Sequence, residues 1–233
     1  MMDPQISTAP AVTRDVARER SLFADVYTWM TIGLLVTAIT AFAVASSHDL
    51  VMTVVRGWWF FVIGELALVW ILSASIHRLS AVAATTMFVA YSALNGFTLS
   101  LILLVYAMST VQLAFFATAG TFAVMSVYGR VTKADLTSMG NLLFMALIGL
   151  IVASVVNAFW ANSAMDWIIT YAGILIFTGL TAYDTQKIKQ MSYEVSGGGE
   201  LTQKIAIMGA LALYLDFINL FLFILRLLGR SRD

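Results

Sequence analysis

Seven apolar runs follow one another along this chain, separated by short polar breaks. They cover residues 27–45, 58–76, 81–106, 111–128, 139–160, 167–188 and 202–229. A spanning helix needs about 20 mostly apolar residues, since each adds about 1.5 Å against a hydrocarbon core of about 30 Å. Every run is close to that length, so the pattern predicts seven membrane-spanning helices. The first ends at Ser46-Ser47-His48-Asp49, and Trp58 and Trp59 open the second with residues suited to a membrane–water interface. The short breaks predict one compact bundle without internal repeats. One insert is different: residues 192–200, SYEVSGGGE, carry three glycines and predict a mobile loop between the sixth and seventh runs.

The last run, TQKIAIMGALALYLDFINLFLFILRLLG, is the one around which the others are expected to gather. Lys204 and Arg226 bracket it, and Asp216 lies roughly 18 Å along the axis from Lys204. An ionised carboxylate at that depth costs at least about 2.5 kcal/mol on insertion scales, so Asp216 should face protein or water and not lipid. Gly209, Ala212, Asp216 and Asn219 follow at helical spacing and form a small, polar face. Leu211, Leu215, Phe217, Leu222 and Leu225 lie opposite. The expectation is a helix whose Asp216 stripe turns to the bundle interior, where small residues admit close neighbours. The plainer alternative is one buried acid that bonds a neighbour and only aids packing.

Two more acids lie within the runs. Glu65, in the second, falls roughly 10 Å from one membrane face, and Asp184, in the sixth, stands just inside the other. Depth counting separates Asp184 from Asp216 by roughly 10 Å along the membrane normal. Acids at graded depths suit a cation path, because carboxylates replace lost hydration oxygens. They equally suit a proton relay. Each also has a structural alternative: Asp184 pairing with Lys187, Lys189 or Arg78, Glu65 held as a neutral acid by a Ser or Thr, and Arg78 as a snorkelling interface residue. Tyr91, Asn95 and Thr98 share one helical face, and Asn141, Ser154 and Asn157 lie in the fifth run; such residues are commonly interhelical glue and receive no site role.

Composition supports the membrane reading and narrows the chemistry. The chain has 233 residues, 61% hydrophobic and 11% charged, where soluble domains carry about 25% charged residues. Net charge is zero, so no nucleic-acid partner is indicated. There are no cysteines, and His48 and His77 are too few and too distant to cage a metal. No soluble catalytic signature and no P-loop occur, so no enzyme and no resident cofactor are expected. An intramembrane aspartyl protease of the presenilin kind is disfavoured, since Asp216 lacks the preceding glycine that such a site requires. Residues 1–26 are polar, hold Arg14, Arg18 and Arg20, and lack a signal-peptide core. Disorder is expected to about residue 15, with a short amphipathic approach helix after it. Residues 27–229 form the single transmembrane domain and residues 230–233 a short tail. Lys and Arg placement favours a cytoplasmic N-terminus. Seven spans then leave Arg226, Arg230 and Arg232 on the outer side against that rule, unless the last segment re-enters.

GLTAYDTQKIK followed by ALALYLDFINLFLFILRLLG resembles the C-terminal signature of the transmembrane Bax inhibitor motif family (the Bax-inhibitor-one family). AYSALNGFTLS and GELALVW are similar to its bacterial members, and the likeness covers nearly all of the chain from about residue 27. The resemblance implies a seven-helix bundle with the last helix central, and a pH-sensitive calcium leak. It implies that Asp184 and Asp216 share a hydrogen bond and gate the leak, with possible direct Ca²⁺ contacts. Arg78 is the only candidate for the second-helix arginine that can pair with the first aspartate in the open state, and Glu65 matches a second-helix acid, giving an ion path through Glu65 and Asp216. Two carboxylates in contact do not both stay ionised cheaply. The pair is therefore expected to hold a proton and close the inner end at low pH, and to open when the proton leaves. Ca²⁺ is the transported ion, the lipid bilayer the surroundings, a monomer the expected state and a bacterial inner membrane the expected location. Two other readings remain: a regulator that binds a membrane-anchored protease or another membrane protein through its N-terminal tail, as some bacterial relatives are described, and a proton-coupled carrier.

Overall fold

A computed structural model of the protein describes residues 11–194 and 199–230. The described residues form nine helices and no strand: α1 Ala11–Ala45, α2 His48–Arg56, α3 Trp58–Ser75, α4 Ala81–Leu99, α5 Ile102–Val105, α6 Met108–Val131, α7 Thr137–Trp160, α8 Ser163–Glu194 and α9 Glu200–Arg230. Seven stretches are long and apolar enough to cross a membrane: Val16–Ala45, Trp58–Ser75, Ala81–Val105, Met108–Val131, Thr137–Trp160, Ser163–Tyr193 and Glu200–Gly229. The protein is an all-α integral membrane protein, as its hydropathy pattern predicts.

The ends of these helices follow local chemistry. Ser80 caps α4, its hydroxyl accepting from Ala83 N at 3.2 Å. At the far end of α4 the Ser100 hydroxyl donates to Phe97 O at 2.6 Å. The helix breaks there and resumes for the four residues of α5. α7 stops at Ala161, whose φ of 47° is left-handed. That conformation costs a residue with a Cβ roughly 1–2 kcal/mol. Asn157 holds the turn together: its Nδ2 donates to Asp166 Oδ1 at 2.6 Å, and its Oδ1 accepts from Asn162 N at 3.0 Å. Asn157 is thus the glue that its type suggests.

The N-terminal expectation needs correction. Residues 1–10 lie outside the described residues, but from Ala11 there is neither disorder nor a separate approach helix. α1 runs unbroken to Ala45. Leu22, Phe23, Val26 and Met30 supply the reason, because all four are buried in the main core. The segment before the bilayer therefore has a packing face, and no proline interrupts it after Pro10. A second difference is α2, an unforeseen amphipathic helix that lays Val54 inward between the first two spans. The glycine-rich insert is shorter than expected, since α8 continues to Glu194, and residues 195–198 lie outside the described residues. So do residues 231–233 of the short tail.

α9 stands in the centre. It packs on α1, α4, α6 and α8, and it is the most buried of the spans. Both its faces are enclosed, which goes beyond the expected inward stripe: Leu211, Leu213, Tyr214, Phe217, Leu220 and Leu225 are buried, and so is Asp216. The Thr37 hydroxyl of α1 ties three helices together, lying 2.8 Å from Ser92 O of α4 and 2.6 Å from the Tyr214 hydroxyl of α9. α8 is seated by two glycines: a Cβ on Gly129 of α6 would collide with the Ala182 backbone, and one on Gly140 of α7 with the Tyr183 ring. These two contacts fix α8 immediately beside Asp184. By contrast α3 and α7 are peripheral, with little of either buried.

The end of the bundle where α1 begins carries a charged belt. Arg130 Nε lies 2.8 Å from Glu19 Oε1, and its guanidinium sits 4.6 Å above the Phe23 ring. Lys189 donates to Arg130 O at 2.7 Å, and the Tyr193 hydroxyl to Glu19 Oε2 at 3.2 Å. At the other end Gly229 of α9 abuts the Tyr106 ring, in the turn that leads to α6. α9 is one continuous helix between those ends, so the last segment does not re-enter.

Candidate functional site

Two of the cavities that border α9 contain acids of the spanning helices. The first, about 730 Å³, is lined by α7, α8 and α9, with Ser73 of α3 at its edge. Asp184, Lys187 and Tyr183 face it from α8, Asn141 and Ser154 from α7, and Asp216 and Asn219 from α9. Depth counting overstates the separation of the two aspartates. Ile188 packs on Gly209, and Gly173 on Phe223, so α8 and α9 run antiparallel in a register that sets Asp184 beside Leu213. Asp216 is then about one turn, some 5 Å, further along. At that spacing two carboxylates facing one cavity interact electrostatically. Among the described residues no hydrogen bond joins them, and Asp216 Oδ2 is buried without any hydrogen-bond partner. A buried oxygen without a donor costs on the order of 1–3 kcal/mol, more if charged, which makes it the conspicuous polar defect of this region.

The second cavity, about 530 Å³, lies between α3, α4, α5 and α9. Glu65 faces it from α3 and accepts from the Thr98 hydroxyl at 2.7 Å. Asn95 and Tyr91, about one and two turns from Thr98 along the same face of α4, line the same space. Asn95 Nδ2 approaches the Tyr91 hydroxyl at 3.5 Å, while Asn95 Oδ1 is buried with no partner among the described residues. Leu215 and Asn219 of α9 line both cavities and so form the wall between them. Asn219 is held in place by donating from Nδ2 to Leu215 O at 2.8 Å.

The sequence-predicted residues therefore divide. Asp184 and Asp216 share one cavity, and Glu65 faces the other. Arg78 joins neither: it is exposed in the turn after α3. The cation at the first cavity is Lys187, three residues after Asp184. Among the described residues no cluster of three His, Asp or Glu gathers to cage a metal. Residues missed as site members are Asn95, Thr98, Tyr91, Asn219 and Lys187. The 4 and 3 spacing of Tyr91, Asn95 and Thr98 shows that they share a face, but spacing alone does not show that the face meets Glu65.

These observations define a polytopic membrane protein whose central helix presents an acid to one cavity and shares a wall of Leu215 and Asn219 with another. The comparisons narrow that class. A family model described as inhibitor of apoptosis-promoting Bax1 matches residues 19–233, and the chain belongs to this Bax-inhibitor-one family. It is 47% identical over 217 residues to the inner membrane protein YbhL of Escherichia coli strain K12, covering 91% of this chain and 93% of that protein. A Deinococcus radiodurans protein is 45% identical over 215 residues, covering 92% of each chain. One from Borreliella burgdorferi is 40% identical over 223 residues, covering 94% and 96%.

Proposed function

We propose that the protein is a pH-sensitive calcium leak, in which Asp184 and Asp216 form the proton-operated gate. One observation carries the reading: carboxylates from α8 and α9 face a single cavity inside the membrane, and one oxygen of Asp216 has no donor. Two carboxylates so placed are cheapest with one proton between them, and losing it leaves adjacent negative charges that drive α8 and α9 apart. The charged and titratable groups facing the pair are Lys187 and Tyr183, both from α8; α3, α7 and α9 add only neutral residues. Lys187 tempers the repulsion without removing it, since one cation cannot neutralise two anions. Arg78 lies in the turn after α3, outside this cavity, and Lys187 is the cation that lines it.

The ion path runs from the Glu65 cavity, past Leu215 and Asn219, to the Asp216 cavity. Ca²⁺ passes as cargo and touches Asp184 and Asp216 in transit. Two carboxylates without a surrounding cage suit weak, reversible contact, which conduction requires. No bond-making step is assigned to any residue. The proposed setting is a bacterial inner membrane, as the name of the Escherichia coli relative says of that protein, with the N-terminus cytoplasmic and the chain acting as a monomer.

The test is Ca²⁺ entry into liposomes holding the purified protein, from about pH 6 to about pH 8. Flux should rise with pH, by at most about tenfold per unit if one proton limits opening. Asp216→Asn should flatten that dependence. Flux no greater than in empty liposomes at any pH would sink the reading and leave the regulatory-partner alternative.

A further inference from the structure

We infer that Glu65, Asn95 and Thr98 form a binding station for a single hard cation in the cavity between α3, α4, α5 and α9. The station is separate from the aspartate pair, and its cation keeps part of its hydration. It deepens the proposed leak by naming where an ion rests before it reaches the gate, yet cation binding here does not require that the protein conduct.

Three observations converge. The first is the donor chemistry. The groups at this cavity that can coordinate a cation offer oxygen: the Glu65 carboxylate, the Asn95 carbonyl and the hydroxyls of Thr98, Tyr91 and Tyr106, with Asn219 on the shared wall. Oxygen donors select hard cations and give no purchase to soft metals. Glu65 is the single charged residue of the lining, so one cation charge is balanced here and additional positive charge is held weakly.

The second is the orphaned oxygen. Asn95 is 7% exposed, and its Oδ1 has no hydrogen-bond partner among the described residues. An amide carbonyl buried in this way is costly unless something occupies the space before it. Its own amide nitrogen is already turned to the Tyr91 hydroxyl, which leaves the carbonyl as the free end. The Thr98 hydroxyl meanwhile donates to Glu65 and also lies 2.9 Å from Asn95 O, pinning carboxylate and α4 together.

The third is room. About 530 Å³ holds a cation with several waters, at roughly 30 Å³ per water. Most of the remaining wall is apolar, including Val62, Leu66, Val69 and Leu222, so the oxygen cluster around Glu65 is where an ion finds compensation for lost hydration. With one carboxylate the site is a weak one, suited to an ion that must leave again.

Terbium, a luminescent stand-in for Ca²⁺, tests the station directly, because Trp58 and Tyr91 line this cavity and act as its antennae. Wild-type protein in detergent should show sensitised terbium emission that added Ca²⁺ displaces. Glu65→Gln and Asn95→Leu should each weaken terbium binding by about tenfold or more. Asn95→Asp, which keeps the side-chain shape and adds a second carboxylate, should instead tighten it, a gain that a folding defect cannot mimic. Asp135→Asn, in the turn before α7 and outside both cavities, should leave it unchanged. Absent emission in wild type, or affinity indifferent to Glu65→Gln and to Asn95→Asp, overturns the station. So does a signal abolished by Asp216→Asn alone, which would place the ion at the gate. Binding that behaves as expected in protein that carries no Ca²⁺ flux would instead overturn the leak and leave the station standing.

Discussion

The two cavities against α9 hold acids under opposite conditions. In one, Glu65 has a donor at 2.7 Å and no charged companion in the lining. In the other, Asp216 has a rival acid about a turn away, a lysine on the next helix and an oxygen with no donor. A donor fixes a carboxylate in place, while a rival makes its ionisation depend on the neighbour's. The same residue chemistry therefore yields a resting place on one side of Leu215 and a switch on the other.

The sharpest way to break this contrast is to remove the rival. Asp184→Asn and Asp216→Asn should each abolish the pH dependence of Ca²⁺ flux. The double variant should do no more than either alone, because a pair that shares one proton is lost with its first member. Additive effects in liposome flux would show two independent acids. Next in size is the wall. Leu215→Ala should join the cavities and raise flux several-fold, up to about tenfold, with the pH dependence kept, since a hydrophobic constriction rather than a charge is removed. Unchanged flux would place the barrier elsewhere. Smaller is the loss of the donor: Thr98→Val should lower thermal stability in detergent by about 1–2 kcal/mol and leave the pH response of flux intact. A changed pH response would mean that Glu65 also belongs to the switch.

The smallest effect belongs to an acid outside both cavities. Asp135, in the turn before α7, accepts from Thr137 N at 2.9 Å, and the hydrogen bonds from Thr137 hold its carboxyl below its usual value. A carboxyl so lowered stabilises the folded turn at neutral pH, and that contribution disappears as pH falls through its folded value. Asp135 is fully exposed, so the contribution is weak. Hydrogen-exchange protection of the turn, measured relative to the intrinsic rate at each pH, should fall in acid for wild type and stay level for Asp135→Asn, which checks the sign. Flux should not respond to this variant.

Much of this was readable from the chain. The seven spans, the three acids and the inward stripe of α9 follow from hydropathy, length and spacing. The parts that were not readable share a physical cause. In a membrane, residues facing lipid and residues facing the core are both apolar, so hydropathy does not separate an outer helix from a central one. The windows of α7 and α9 are 11% and 61% buried, although α7 is the more hydropathic of the two. For the same reason the apolar face of α9 gave no sign of being enclosed. The place of Arg78 was hard to read for another reason: it lies only three residues past the end of α3, where the chain has already turned. Asn95 and Thr98 have ordinary side chains whose importance comes from Glu65, 30 and more positions away. The hidden length of α1 lay in Leu22, Phe23 and Val26, whose apolar spacing continues the span that follows.

The helix that fills the centre of the bundle leaves the ribosome after the other six described spans. The six earlier spans must wait in the membrane around a space that nothing yet occupies. α9 then enters carrying Asp216, a residue that insertion machinery handles at a cost of about 2.5–3.5 kcal/mol when it meets lipid. Delivery into the waiting groove of α1, α4, α6 and α8 replaces that lipid with protein. Assembly order and acid placement are thus linked, and a chain halted before α9 is a bundle without its axle, exposed along its inner surface to whatever quality control patrols the bilayer.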